Sequence, residues 1–163
     1  MRWLLCATLM VLAACTPVPK VSYTPSDFTS ALSAVNQARA QAHTCTTGST
    51  PKAYSPAPAL TWNGLLGEVA RQRAEYIQQT GQFSHYEGSS NAYAVVIRAQ
   101  QVGYKYLEIR ENLAQGLVSA QDAVSAWLAS PHGHCDTLMA PHLKEMGMVK
   151  RGDYWVLVVA QPK

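Results

Sequence analysis

The chain has no apolar run long enough to span a bilayer. Its longest, Trp3 to Ala14, is broken only by Thr8 and falls short of the roughly 20 residues that a hydrocarbon core requires. Charge is scarce too: Asp, Glu, Lys and Arg make up 14% of the 163 residues, with a formal net charge of +3. No basic run exceeds the pair Lys150-Arg151, so the electrostatic footprint of a nucleic-acid-binding protein is missing. Two catalytic signatures are also absent. There is no H-E-x-x-H zinc-protease motif and no G-x-S-x-G nucleophile elbow. Ser84 stands next to His85, but adjacency in sequence does not by itself create a serine–histidine dyad.

What is present begins at the N-terminus. A positive start at Met1-Arg2, a short apolar run and small residues have the order of a secretory signal. The run ends Leu12-Ala13-Ala14-Cys15, which resembles the lipobox of bacterial lipoproteins. The expectation is a signal over residues 1–14, a lipid on Cys15, and a protein tethered to an envelope membrane. Its place would be the periplasmic face or the outer membrane, with Thr16 compatible with outer-membrane delivery. The alternative is an ordinary signal cut near Ala14 that releases a soluble protein. Residues 15–25, with Pro17, Pro19 and Pro25, read as an extended linker of ~3 Å per residue, a reach of about 30 Å. Residues 26–163 are then one domain, large enough to bury a core without extra staples.

The four cysteines do not form one set. Cys6 leaves with the signal and Cys15 takes the lipid. Cys45 and Cys135 remain as a pair in an oxidising compartment, which predicts a disulfide. It would close a loop of ~90 residues and contribute roughly 2–5 kcal/mol. The alternative is a reactive Cys135 thiolate, nucleophile or metal ligand, beside His132 and His134.

Apolar periodicity predicts four helices. The first starts near Ser26 or Asp27, carries Phe28, Ala31, Leu32, Val35 and Ala38 on one face, and ends before Cys45. Residues 46–59, rich in Thr, Ser, Pro and Gly, read as a loop. A second helix runs from Asn63 to a stop at Gly81, with Leu65, Leu66, Val69, Ala70, Ala74 and Ile77 as its stripe. Its outward face is Glu68, Arg71, Gln72, Glu75 and Gln78. A third spans 91–102 and ends at Gly103. The segment Ile109 to Ala114 reads as an edge strand. The fourth helix opens on Ser119 with Asp122 as an acidic capping box and closes at Pro131. Residues 145–149 and 154–160 read as two strands joined by a turn at Gly152-Asp153. The Arg151-Gly152-Asp153 tripeptide is that turn rather than an adhesion motif. The fold class this implies is α+β, an α-β-α sandwich with a small central antiparallel sheet.

Several segments together carry a resemblance. They are Phe83-Ser84-His85, Glu111-Asn112-Leu113-Ala114, and Trp127 through Ser130-Pro131-His132-Gly133-His134-Cys135, followed by Glu145-Met146-Gly147. In this order and spacing the chain resembles the CAP superfamily, whose SCP domain occurs in cysteine-rich secretory proteins, antigen 5 allergens and plant pathogenesis-related proteins. The resemblance covers about residues 28–161 and implies the same α-β-α sandwich. It also implies that the cysteine after the first helix pairs with the one following the second motif histidine, in agreement with Cys45–Cys135. Finally, it implies a cleft in which His85, His134 and Glu111 meet. Two imidazoles and a carboxylate are competent ligands for Zn²⁺; they could equally form a hydrogen-bonded brace.

The chain departs from the family pattern in ways that bear on this site. Arg110 replaces the usual glycine before Glu-Asn and is expected to pair with Glu111. His132 is an extra residue in the loop before His134. No acid lies between Ser125 and Ser130, which leaves Glu145 as the nearest substitute for the family's second glutamate. His43 is expected to complement the end of the first helix, and His142 has no assigned role. The functional expectation is an envelope-associated binding protein with a His/Glu cleft for a small ligand, ion or partner. Its partners would be the membrane, through the lipid anchor, and a lipid or an envelope protein, not nucleic acid. The alternative is a metal-dependent hydrolase of peptide or cell-wall material, using a zinc-activated water.

Overall fold

The computed structural model describes residues 25–163. The signal, Cys15 and the linker up to residue 24 lie outside the described residues. Helix α1 (Pro25–Arg39) leads into a hairpin of β1 (His43–Thr47) and β2 (Thr50–Tyr54), then β3 (Thr61–Trp62), α2 (Gly64–Thr80) and α3 (Ala94–Gln101). Strand β4 (Tyr106–Gln115), α4 (Ala120–Leu128), α5 (His134–Met139), β5 (Glu145–Arg151) and β6 (Tyr154–Pro162) complete the chain. The main sheet has the order β3-β5-β6-β4. Its β5-β6 and β6-β4 pairings are antiparallel and its β3-β5 pairing parallel. Strand β4 is an edge, as its sequence implies.

Both faces of the sheet are covered, which is why β6 reads apolar at every position from Trp155 to Ala160. Val156, Val158 and Ala160 pack with α2 and α3. Leu157 and Val159 pack with Met146, Met148 and the layer of α1, α4 and α5. Local signals end most of these elements. Asn63 caps α2, its side chain accepting from Leu65 and Leu66 N–H, and Gly81 closes the helix at φ 71°. Ser119 and Asp122 form a reciprocal capping box on α4. His43 bonds the Ala38 carbonyl at 3.1 Å in the last turn of α1, the helix-end role expected of it.

The chain also contains structure that periodicity did not reveal. Residues 46–59 do not form one loop. Thr47 pairs with Thr50 across a two-residue turn in which Gly48 takes φ 62°, the left-handed value such turns need. The β-branched Thr44, Thr46 and Thr47 suit the strand, and the turn residues hid it. Helix α5 and the two-residue β3 are too short to show a period. Arg39 is fully buried and donates to the carbonyls of Pro58, Ala140 and Leu143, tying α1 to the segment that follows α5.

The disulfide between Cys45 and Cys135 is present, spanning 90 residues, and both sulfurs are buried. This removes the reactive-thiolate alternative. Together with the bond from Gly48 N–H to the Pro131 carbonyl at 2.9 Å, it fastens the β1-β2 hairpin to the loop that carries His132 and His134.

Helix α2 and strand β5 touch backbone to backbone. A Cβ built on Gly147 would lie 2.1 Å from Gly67 N and 2.3 Å from the Leu66 carbonyl carbon. No flexible side chain stands there to give way. Gly147→Ala should therefore lower stability by at least about 1–3 kcal/mol. The expected readout is a lower urea midpoint with an unchanged slope; an unchanged midpoint would mean that α2 lifts from the sheet freely.

Candidate functional site

The face of the sheet under α2 carries Glu111, Val158 and Gly147 in register across β4, β6 and β5. Helix α2 packs close on β5 and β6, and from its middle turn one long side chain reaches across to Glu111 on β4. That turn contributes Arg73, whose side chain is fully buried. Arg73 Nε donates to Glu111 Oε2 at 2.8 Å, and one terminal nitrogen donates to the Ser84 carbonyl at 2.6 Å and to Glu111 Oε1 at 3.4 Å. The other terminal nitrogen reaches Glu87, which is also held by Arg98 from α3 at 2.8 Å. Burial opposes the charge on Arg73, but the bonds to Glu111 and Glu87 raise its pKa above the ordinary value. Glu111 itself is 2% exposed along its side chain.

His85 completes this chain of contacts. Its Nδ1 is 2.8 Å from Glu111 Oε1, while 38% of its side chain is exposed. A buried cation thus holds a buried carboxylate, and the carboxylate orients a half-exposed imidazole. Glu111 accepts at Nδ1, which leaves Nε2 as the outer ring nitrogen. Tyr93 lies edge-on to His85 at 6.4 Å and stacks with Tyr86 at 4.9 Å; both tyrosines are exposed and rim this corner. Tyr104, by contrast, is buried.

His134 approaches from the opposite layer. It opens α5, after Gly133 at φ 81°, and Asn112 Nδ2 on β4 donates to its carbonyl at 3.0 Å. Asn112 is fully buried, and its Oδ1 has no partner among the described residues. Burial, and then the neighbouring imidazoles of His85 and His132, hold the His134 pKa below 6.5. His132 lies 6.5 Å away, edge-on. The edge strand β4 serves both layers, holding the Glu111–His85 pair on one face and the His134 carbonyl from the other. Glu111 and Asn112 point to opposite faces of one strand, and no further strand stands beyond it among the described residues to keep the two layers apart.

Two sequence expectations are corrected. Arg110 does not pair with Glu111. It lies on the other face of β4, donates to Glu108 and to the Asp136 carbonyl, and so has no hold on the buried carboxylate. His142 bonds the same Glu108 at 2.8 Å. Glu145 is not brought to Glu111 either. Its Oε2 accepts from Asn63 at 2.9 Å and Tyr104 at 2.6 Å. That is the N-terminal end of α2, ~15 Å along the helix from Arg73 at 1.5 Å per residue. The residue that the sequence reading missed is Arg73. It falls on the buried stripe, four residues after Val69 and four before Ile77, and an arginine there demands a buried carboxylate.

The residues do not fit a divalent ion. Glu111 is engaged at both oxygens, and among the described residues no group of at least three His, Cys, Asp or Glu side chains could hold a metal. A separate groove of about 790 Å³ lies on the α1 side of the sheet, lined by Ala31, Ala34, Trp62, Met148, Lys150 and Trp155 among others.

An α-β-α sandwich with a His–Glu pair at the edge of its sheet defines a recognisable class. The model of the CAP family, the cysteine-rich secretory protein family, matches residues 32–158, and the chain belongs to that family. The fold is similar to that of an extracellular SCP-domain protein from Bacillus anthracis, with a TM-score of 0.68 and 17% identity over 87% of this chain and 45% of that one. The chain therefore spans under half the length of that relative. It is also similar to an outer surface protein from Borrelia burgdorferi, with a TM-score of 0.55 and 22% identity over 66% of this chain and 80% of that one. A third similar structure is NaASP2 with Zn²⁺, with a TM-score of 0.53 and 13% identity over 86% and 81%. No curated protein matches the chain by sequence.

The lowered His134 pKa has a consequence for stability. Above pH 6.5 the ring is neutral in both folded and unfolded states. As pH falls through 6.5 the unfolded chain takes up the proton first, so stability drops. Urea midpoints of wild type and His134→Gln measured from pH 8 to pH 5 should diverge, with wild type losing more. Parallel curves would show that His134 is as free to protonate in the fold as in the unfolded chain.

Proposed function

We propose that the chain is an envelope-associated binding protein whose recess at the β4 edge, formed by His85, Glu111 and His134, receives a small ligand or an exposed group of a partner. The observation that carries this reading is the fixed His85. Its ring is held by Glu111, with Arg73 behind that carboxylate, and lies edge-on to the exposed Tyr93. Such pre-orientation is what a recognition site needs. The hydrolase alternative needs Glu111 or Glu145 as base for a metal-bound water; Arg73 holds the first carboxylate, and Asn63 and Tyr104 hold the second. The groove on the α1 side, which mixes two tryptophans with polar and basic residues such as Gln37 and Lys150, is the second surface open to a ligand.

The test titrates labelled protein with lipid extract and with solubilised cell-wall fragments of the same envelope. Saturable NMR shifts at His85, Tyr93 and His134, lost in His85→Ala, are expected. Shifts confined to Trp155 and Met148 would move the site to the groove. Release of cleavage products would favour a hydrolase.

The envelope assignment rests on Leu12-Ala13-Ala14-Cys15 and on the surface proteins that share the fold. Mass spectrometry of the N-terminus should find an acylated Cys15, and Cys15→Ser should release or trap the protein. An unmodified terminus beginning elsewhere removes the anchor.

A further inference from the structure

Two properties of Arg73 go together. It is buried with no exposed side-chain area, and its contacts engage both oxygens of Glu111. Its remaining donors are fixed by Glu87 and by the Ser84 carbonyl, so it cannot swing away without breaking several charge-assisted bonds at once. Glu87 is in turn held by Arg98, which bonds Gln72 on α2 at 3.1 Å. A divalent ion at Glu111 would have to displace this guanidinium or sit a few ångströms from a buried positive charge, where repulsion is poorly screened.

We propose that Arg73 is the resident cation behind the His85–Glu111 pair and its specificity-determining residue: it withholds both oxygens of Glu111 from any ligand set and, as a buried positive charge, disfavours zinc at the recess. The carboxylate then serves to orient His85 rather than to ligate. The recess consequently selects ligands by hydrogen bonding to the outer imidazole nitrogens, without a Lewis acid. This inference concerns metal exclusion alone and stands or falls separately from whether the recess binds a ligand.

The test is zinc titration of the purified protein by calorimetry, with the His85 and His134 ring signals followed by NMR. Wild type should show no zinc uptake through these two rings. Uptake of one equivalent that disappears in His134→Ala would overturn the proposal. Arg73→Met, its fold checked by near-UV circular dichroism, should take up zinc at least about tenfold more tightly than the upper limit set by wild type, the scale on which groups bonded to metal ligands set affinity. Zinc should also raise its melting temperature while leaving that of wild type unchanged. A folded Arg73→Met with no gain overturns the proposal. If that variant fails to fold, Arg73→Lys is read in its place. It keeps a buried cation but cannot cover both oxygens of Glu111, so a smaller gain in zinc affinity supports the proposal and no gain overturns it.

Discussion

The contact between Gly147 on β5 and Gly67 on α2 sets the rest of the molecule. With no side chain on Gly147, helix and sheet approach to backbone distance. That height lets Arg73, near the middle of α2, reach down to Glu111 two strands away. Glu111 then fixes His85, and the loop that carries His85 is pinned by the Ser84 carbonyl on the same guanidinium. A helix held farther off by a larger residue would leave a carboxylate and an arginine buried without each other, which costs more than the pair contributes.

The opposite layer is set by different means. The disulfide at Cys45 and Cys135, the Gly48 to Pro131 bond and the Asn112 bond to the His134 carbonyl position the start of α5. Asp136, in the first turn of α5, accepts from Thr47 and Tyr54 of the hairpin. The hairpin is exposed over most of its length, so its position depends on these ties rather than on a core of its own. The two layers meet at the open edge of β4. That edge explains why a histidine from each layer can feel the other's charge.

Family membership and site chemistry part company at this point. The motifs that place the chain in the CAP family are the ones that supply His85, Glu111 and His134. Their meaning depends on a residue outside those motifs. One guanidinium on the inner face of α2 engages both oxygens of Glu111, and the same carboxylate pairs with the His85 imidazole. Two structures sharing this sandwich at 13% identity therefore need not share an ion.

Much of the fold was legible in the sequence because its signals are local. Asn63 and Gly81 bracket α2, Ser119 and Asp122 cap α4, and the apolar run of β6 reports a strand covered on both sides. The Cys45–Cys135 pair followed from counting cysteines in an oxidising compartment. Tertiary structure alone decided which cation holds Glu111. Arg110 is its neighbour in the chain, but strand alternation sends that side chain to the other face. Arg73 is 38 residues away and reaches the carboxylate from α2. The same logic separates Glu145 from the site, since an acid on the right face can still lie at the wrong end of a helix. Sequence determines which side chains are available and which face each can take. The distance between elements, set here by the missing side chain of Gly147, determines which of them touch.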